Sequence, residues 1–251
     1  MFLPLIFLEA FILVFCHLKI LLFQVIFFGR LKMNLSDFSG IKAFIFDMDG
    51  VLLDTEKVCF RCWKKAADAL GLNCVEQVFY KCVGQAKQDT LNTLKHFYAD
   101  IKGFDENAFY DLTSVFFQQE EKSGLPKMKF VDECLESLKN NGFKIALASS
   151  TKKSSVTRQL TQAGLIDYFS TVTCGDSVIH SKPHPEIYQK AAASLLLKCE
   201  ECVCIEDSPN GIKSGNAAGL KVIMIPDLIQ PDNDLKALCW KIEPSLKSLI
   251  F

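Results

Sequence analysis

Four short apolar runs, with helical stretches between the later ones, constrain this chain more than any other feature. They are Lys42–Phe46 (KAFIF), Lys144–Ser150 (KIALASS), Cys202–Glu206 (CVCIE) and Lys221–Pro226 (KVIMIP). Two intervening stretches read as helices. Phe130–Gly142 ends on a glycine that can cap it, and His184–Leu197 carries Pro185, a residue suited to a first helical turn. Strands alternating with helices of this length indicate an α/β fold: a Rossmann-like parallel sheet with helices packed on its faces.

The alternation stops between about Lys57 and Gly124, a stretch rich in Phe, Leu, Ala, Lys and Gln without a convincing strand. It is expected to form a helical domain, 57–124, inserted after the first strand of a core made of 33–56 and 125–251. Phe60, Trp63 and the phenylalanines at 97, 104, 109, 116 and 117 are expected to be its core. At 251 residues the chain is long enough for both parts.

Polar residues gather where such a sheet binds ligands, beyond the carboxyl ends of its strands. Asp47 and Asp49 follow the first strand in FIFDMDGVLLDTE, and alternate residues of an extended segment face one side, which would crowd two carboxylates. Ser149, with Ser150 beside it, follows KIALA. Lys182 lies in HSKPHPE, and Glu206 and Asp207 close CVCIE. Converging acids, a hydroxyl and a lysine make a site for Mg²⁺ and a phosphate, because hard carboxylate oxygens suit that ion. Any one of these residues alone would read as a turn, a cap or a surface charge.

Taken together and in this order, D-x-D-G-V at 47–51, the serine of ASS, the lysine of KP and EDSPNG resemble the four motifs of the haloacid dehalogenase superfamily. The resemblance spans about Ile41 to Asp227 and is closest to small phosphatases and β-phosphoglucomutase, which carry a helical cap after the first strand. It implies a Mg²⁺-dependent phosphatase of a small phosphorylated metabolite, a sugar phosphate or nucleoside monophosphate. Asp47 would be the nucleophile that forms an aspartyl-phosphate, and Asp49 the general acid and then base. Ser149 and Lys182 would hold the phosphoryl oxygens, and Gly50 would turn the chain beneath the substrate. Asp47, the backbone carbonyl of Asp49, Asp207 and Glu206 would hold the metal. In the cap, Cys59 stands where a histidine is expected by resemblance to the mutase. Lys87 stands in the loop where an arginine would grip a second phosphate, and can act only as a point charge. These departures rank a phosphatase above a phosphosugar mutase. A non-enzymatic phospho-accepting receiver module also uses strand-end acids, a hydroxyl and a lysine, but lacks such an insertion.

A net charge of −1 without a long basic block argues against nucleic acid as a partner. Eleven cysteines, odd in number and irregular in spacing, argue against a disulfide scaffold. The pairs Cys59/Cys62 and Cys199/Cys202 have knuckle-like spacing but fall short of a zinc ligand set, so reduced thiols in a cytoplasmic monomer are expected. His180 and His184 are expected to be solvated or to line the entrance. Gly211, Gly215 and Gly219 are expected to let a helix pack closely. Residues 1–32 are apolar but interrupted by Glu9, His17 and Lys19. Translation from Met33 is the expected reading, and a membrane anchor with the catalytic part on the cytoplasmic side is the alternative.

Overall fold

A computed structural model describes residues 33–85 and 87–251, so the readings placed on residues 1–32 lie outside the described residues. The chain divides into two units, Met1–Asp37 and Phe38–Phe251. Of the first, only 33–37 is described.

In the second unit six parallel strands form one sheet in the order β3-β2-β1-β4-β5-β6. They are β1 (Ala43–Phe46), β2 (Lys144–Ser149), β3 (Thr171–Cys174), β4 (Cys202–Glu206), β5 (Lys221–Met224) and β6 (Lys241–Ile242). Ala43 pairs with Lys144 on one side and Cys202 on the other, which makes β1 central. Every residue of β1 is buried, as a parallel strand covered on both faces must be. One face presents Ala43, Ile45, Ala146 and Ala148 to Ile187, Tyr188, Ala191 and Ala192 of a helix at Glu186–Ser194. Small residues on both partners let helix and sheet approach closely. On the other face Phe44 meets the ring of Phe143 at 5.0 Å, edge to face.

Two strands were not legible in the sequence. β3 is an edge strand with two threonines among its four residues, and β6 has only two residues. β5 stops at Met224, short of Pro226, which has no N–H for a ladder.

Between β1 and β2 lie α1 (Thr55–Leu70), α2 (Val75–Cys82), α3 (Lys87–Phe97) and α4 (Glu106–Lys122). Trp63, Val78, Phe79, Leu94, Tyr98 and Phe109 form their shared core, with Phe60, Phe97, Phe104 and Phe116 packed against it. Phe117 departs from expectation and lines the cleft described below. The connections into and out of these helices run side by side: Leu53 bridges Lys127, and the amide of Asp54 donates to the Pro126 carbonyl at 2.8 Å. Among the described residues, no helix is long and apolar enough to cross a membrane.

Candidate active site

Chain order explains where the site falls. From β1 the strands step outward to β2 and β3, and the chain then returns to β4 on the opposite side of β1. That reversal opens a crevice at the carboxyl ends of β1, β2 and β4. Asp47 and Asp49 stand just past β1 in a tight turn, not within a strand as alternation suggested. Gly50 makes the turn possible in two ways. Its φ is +77°, and the carboxylate of Asp207 occupies the space a Cβ would need.

Lys182 sits at the centre. Its Nζ donates to Asp47 Oδ1 at 2.5 Å, Glu206 Oε1 at 2.7 Å and the Ala148 carbonyl at 2.9 Å, which uses all three ammonium donors. Burial alone would push the Lys182 pKa down, but the carboxylates of Asp47 and Glu206 raise it above the ordinary value. Glu206 is fully buried and saturated with donors. Oε1 also takes the Tyr188 hydroxyl at 2.6 Å, and Oε2 takes the Asp207 and Ser208 amides and the Ser208 hydroxyl. Gly211, on a helix at Pro209–Ala217, is glycine because a Cβ there would collide with this carboxyl group. Gly215 likewise lies against Cys204, so these two glycines serve close packing, at one point against the site itself, whereas Gly219 departs from expectation: it lies past the helix end at a φ of +86°.

Carboxylate oxygens of Asp47, Glu206 and Asp207 lie within 4.8 Å of one another. Burial pushes the Asp47 carboxyl up to about 8 despite Lys182, and burial followed by Glu206 and Asp47 raises Asp207 well above its ordinary range. Asp49 is raised by burial too, with the hydroxyls of Thr55 and Thr151 pulling the other way. Negative charge is thus crowded faster than Lys182 offsets it, the condition a cation would relieve.

These shifts set a pH dependence. The folded protein holds the Asp47 proton up to about pH 8, whereas the unfolded chain releases it near 3.8. The stability tied to that proton is full below the lower value and is lost as pH rises through the upper one. Asp49 and Asp207 act in the same direction. Glu120, Glu186 and Glu201, whose pKa values are lowered from 4.5, titrate below this range and do not oppose it. Metal-free protein is therefore expected to lose thermal stability from about pH 5 to 8, and Mg²⁺ to restore it at the upper end. Melting curves in EDTA and in Mg²⁺ check this; an EDTA profile that rises toward pH 8 contradicts it.

Above the acids lies a cleft of about 1190 Å³. Glu56, Cys59 and Trp63, spaced to share one face of α1, form one wall, and Tyr110, Thr113, Ser114 and Phe117 of α4 face into it. Burial and the neighbouring Asp49 raise Glu56 to about 7, and burial pushes the Cys59 thiol up to about 12.

Of the residues singled out in the sequence, Asp47, Asp49, Ser150, Lys182 and Asp207 line this cleft, with Glu206 beneath them. Ser149 is fully buried, and its hydroxyl accepts the Thr151 amide at 3.1 Å. Lys87 is not among the lining residues, and its ammonium sits 4.6 Å from the ring centroid of Tyr110, which is one of them. The rings of His180 and His184 lie 4.6 Å apart, tilted by 45°, exposed and outside the lining. Sequence reasoning missed Thr151, whose Oγ1 donates to Asp49 Oδ2 at 3.1 Å. It lies two residues past Ser149, so reading the whole loop would have found it. It also missed Tyr188, which looks like an ordinary core position of an amphipathic helix. All ten cysteines among the described residues are free.

Comparison with known proteins agrees with this arrangement. The family model for haloacid dehalogenase-like hydrolases matches residues 44–225. A phosphorylated carbohydrates phosphatase of Thermotoga maritima is 31% identical over 201 residues, covering 79% of this chain and 90% of its own. A β-phosphoglucomutase of Bacillus subtilis is 27% identical over 188 residues, covering 72% and 81%. Among solved structures, a haloacid dehalogenase family hydrolase from Deinococcus radiodurans with bound phosphate and sodium superposes with a TM-score of 0.72. It is 26% identical, over 84% of this chain and 93% of that one. On its four motifs, its sheet order and these matches, the chain belongs to the haloacid dehalogenase-like hydrolases, in their phosphatase and phosphomutase branch, as an enzyme of the phosphoric monoester hydrolase class.

Proposed function

We propose that this enzyme is a Mg²⁺-dependent phosphatase of a small phosphorylated metabolite, a sugar phosphate or nucleoside monophosphate, acting through an aspartyl-phosphate on Asp47. The observation that carries the reading is the division of labour between the two first-strand acids. Lys182 holds Oδ1 of Asp47, which leaves Oδ2 to attack phosphorus. Thr151 holds Oδ2 of Asp49, which leaves Oδ1 to carry a proton.

In the first step Asp47 Oδ2 forms a bond to phosphorus as the bond to the ester oxygen breaks, and Asp49 gives its proton to the departing alcohol. A carboxyl raised by burial is the right kind of acid for this. In the second step Asp49, now ionised, takes a proton from water as that water attacks the aspartyl-phosphate, which returns Asp47 to its carboxylate. Lys182 keeps Asp47 oriented and offsets developing charge, and the 149–151 loop receives the phosphoryl oxygens. Asp47, the backbone carbonyl of Asp49 and Asp207 would hold the metal. Glu206 would stand alongside chiefly to fix Lys182, since both of its oxygens are already engaged. When bound, Mg²⁺ supplies positive charge against the carboxylates and the transferring phosphoryl group. The helices between β1 and β2 would act as the cap and choose the leaving group.

The mutase reading is supported by the match to β-phosphoglucomutase. A mutase must shield its aspartyl-phosphate from water and grip a second phosphate. Cys59, a neutral thiol on the wall, and Lys87, turned onto Tyr110, offer little for either task. A panel of phosphorylated metabolites assayed with Mg²⁺ and with EDTA tests both readings. Free phosphate is expected in Mg²⁺ from several sugar or nucleoside monophosphates. No conversion of β-glucose 1-phosphate to glucose 6-phosphate is expected, even with a bisphosphate primer. Fast isomerisation with little free phosphate would reverse the ranking.

A further inference from the structure

Two neighbouring acids near the end of α4 point in different directions. Glu120 pairs with Arg61 and Lys65 of α1, inside the inserted helices. Glu121 turns toward the sheet-bearing part, onto a helix designated α6 (Lys153–Gln162), with α5 being Val131–Asn140. Its Oε1 accepts Arg158 Nη2 at 2.7 Å and Gln159 Nε2 at 2.6 Å. The Glu121 side chain is 9% exposed, so this charge is largely withdrawn from water and rests on those two donors. Arg158 is half exposed. Gln159 is buried, and its Oε1 has no hydrogen-bond partner. All three residues lie along the cleft.

Position gives the contact its meaning. α6 begins two residues after Thr151, the residue that holds Asp49, and its later turns hold Glu121. The loop whose Thr151 holds the proposed general acid therefore runs directly into the helix that holds the wall of the cleft. Glu121 lies three residues before Gly124, in the connection that returns from the inserted helices. The contact therefore sits beside the place where the insertion rejoins the sheet-bearing part. The clasp is also not fully satisfied, because the orphaned Gln159 Oε1 would regain water if the helices swung away. Beside the Asn210–Gly84 hydrogen bond and the packing of Leu228 on the inserted helices, closure thus rests on this buried ionic contact against an opposing polar cost, a balance that a substitution can tip.

We propose that Glu121, through Arg158 and Gln159, is a positioning residue that sets the α1–α4 wall over Asp47 and Asp49, and so determines how tightly the leaving group is bound. This rests on the phosphatase reading of the same cleft. If only the clasped arrangement binds substrate well, apparent affinity scales with the fraction of molecules clasped, while saturating substrate restores that arrangement. Loss of the clasp then raises KM and largely spares kcat.

The test uses the full chain with Mg²⁺ and glucose 6-phosphate, with p-nitrophenyl phosphate as a second probe. Glu121→Ala is expected to raise KM by about tenfold or more with kcat within about threefold of wild type. Arg158→Met, at a half-exposed position that tolerates change, is expected to raise KM by about threefold, keeping the variant set informative if Glu121→Ala folds poorly. Exchanging the charges, Glu121→Arg with Arg158→Glu, should recover most of the loss, because the Gln159 amide can rotate to serve either partner. A merely structural role would lower the amount of active enzyme and leave KM alone. Hydrogen exchange of residues 123–127, read without substrate, should quicken by about tenfold in the unclasped variants. An unchanged KM, or exchange at the wild-type rate in folded variants, overturns the clasp. Absence of any wild-type turnover would overturn the phosphatase reading, and the exchange data would still decide the clasp.

Discussion

Asp47→Asn is expected to leave a folded protein that releases no phosphate, with kcat down by at least about a thousandfold, as removal of a catalytic nucleophile typically requires. The amide matches the carboxylate in shape and its oxygen can still accept from Lys182, so the reason for loss is chemical. An amide oxygen does not form the acyl-phosphate, and one charged neighbour of Asp207 has gone. Folding should not suffer. Asp47 stands in a cluster where Glu206, Asp49 and Asp207 already oppose its ionisation, so removing one charge relieves repulsion in the metal-free protein. Phosphate release together with a melting curve checks both halves. Turnover within tenfold of wild type would place the nucleophile elsewhere, and a collapsed melting curve would make Asp47 a structural residue first.

Lys182→Met is expected to have the largest effect on stability, about 3–5 kcal/mol, because breaking a buried ion pair from one side leaves the other charge stranded. Here the fully buried Glu206 is stranded, and Asp47, already raised to about 8 by burial, loses the cation that pulls it back. Methionine is similar in length but returns none of the three hydrogen bonds. The Lys182 pKa is raised above its unfolded value of 10.5, so its contribution is present in full below that pH and is lost only above the folded value. At neutral pH the whole effect should therefore be visible, as a fall in melting temperature of roughly 10 °C for a chain of this size. Activity should fall by at least about a hundredfold, since the attacking carboxylate loses its orientation and the phosphoryl group its nearest cation. A melting temperature within about 2 °C of wild type would show that the ion-pair network is dispensable for folding.

The core of the sheet was legible in the sequence for a simple reason. Parallel strands buried on both faces must be continuously apolar, and AFIF, IALA and VCI leave little room for another reading. The edge strand Thr171–Cys174 was not legible, because an edge is half solvated and its residues need not be apolar. The same contrast divides the site. Asp47, Asp49, Ser149, Lys182, Glu206 and Asp207 stand at strand ends or in loops, where polar residues break an apolar pattern and attract notice.

Tertiary structure decided the rest. Burial and a saturated set of donors make Glu206 an anchor for Lys182, whereas in the sequence it is one of two adjacent acids. Tyr188 and Glu121 look like a core aromatic and a solvated helix charge, and only packing turns the first onto Glu206 and the second onto Arg158 and Gln159. Lys87 looks like a phosphate-binding cation, and its ammonium lies over the ring of Tyr110, a residue of the cleft wall. Sequence by itself determined which chemical groups stand at the strand ends, because backbone periodicity is a local property. Which of those groups are partnered, buried or free to react depends on residues tens to more than a hundred positions apart, and no local pattern encodes those distances.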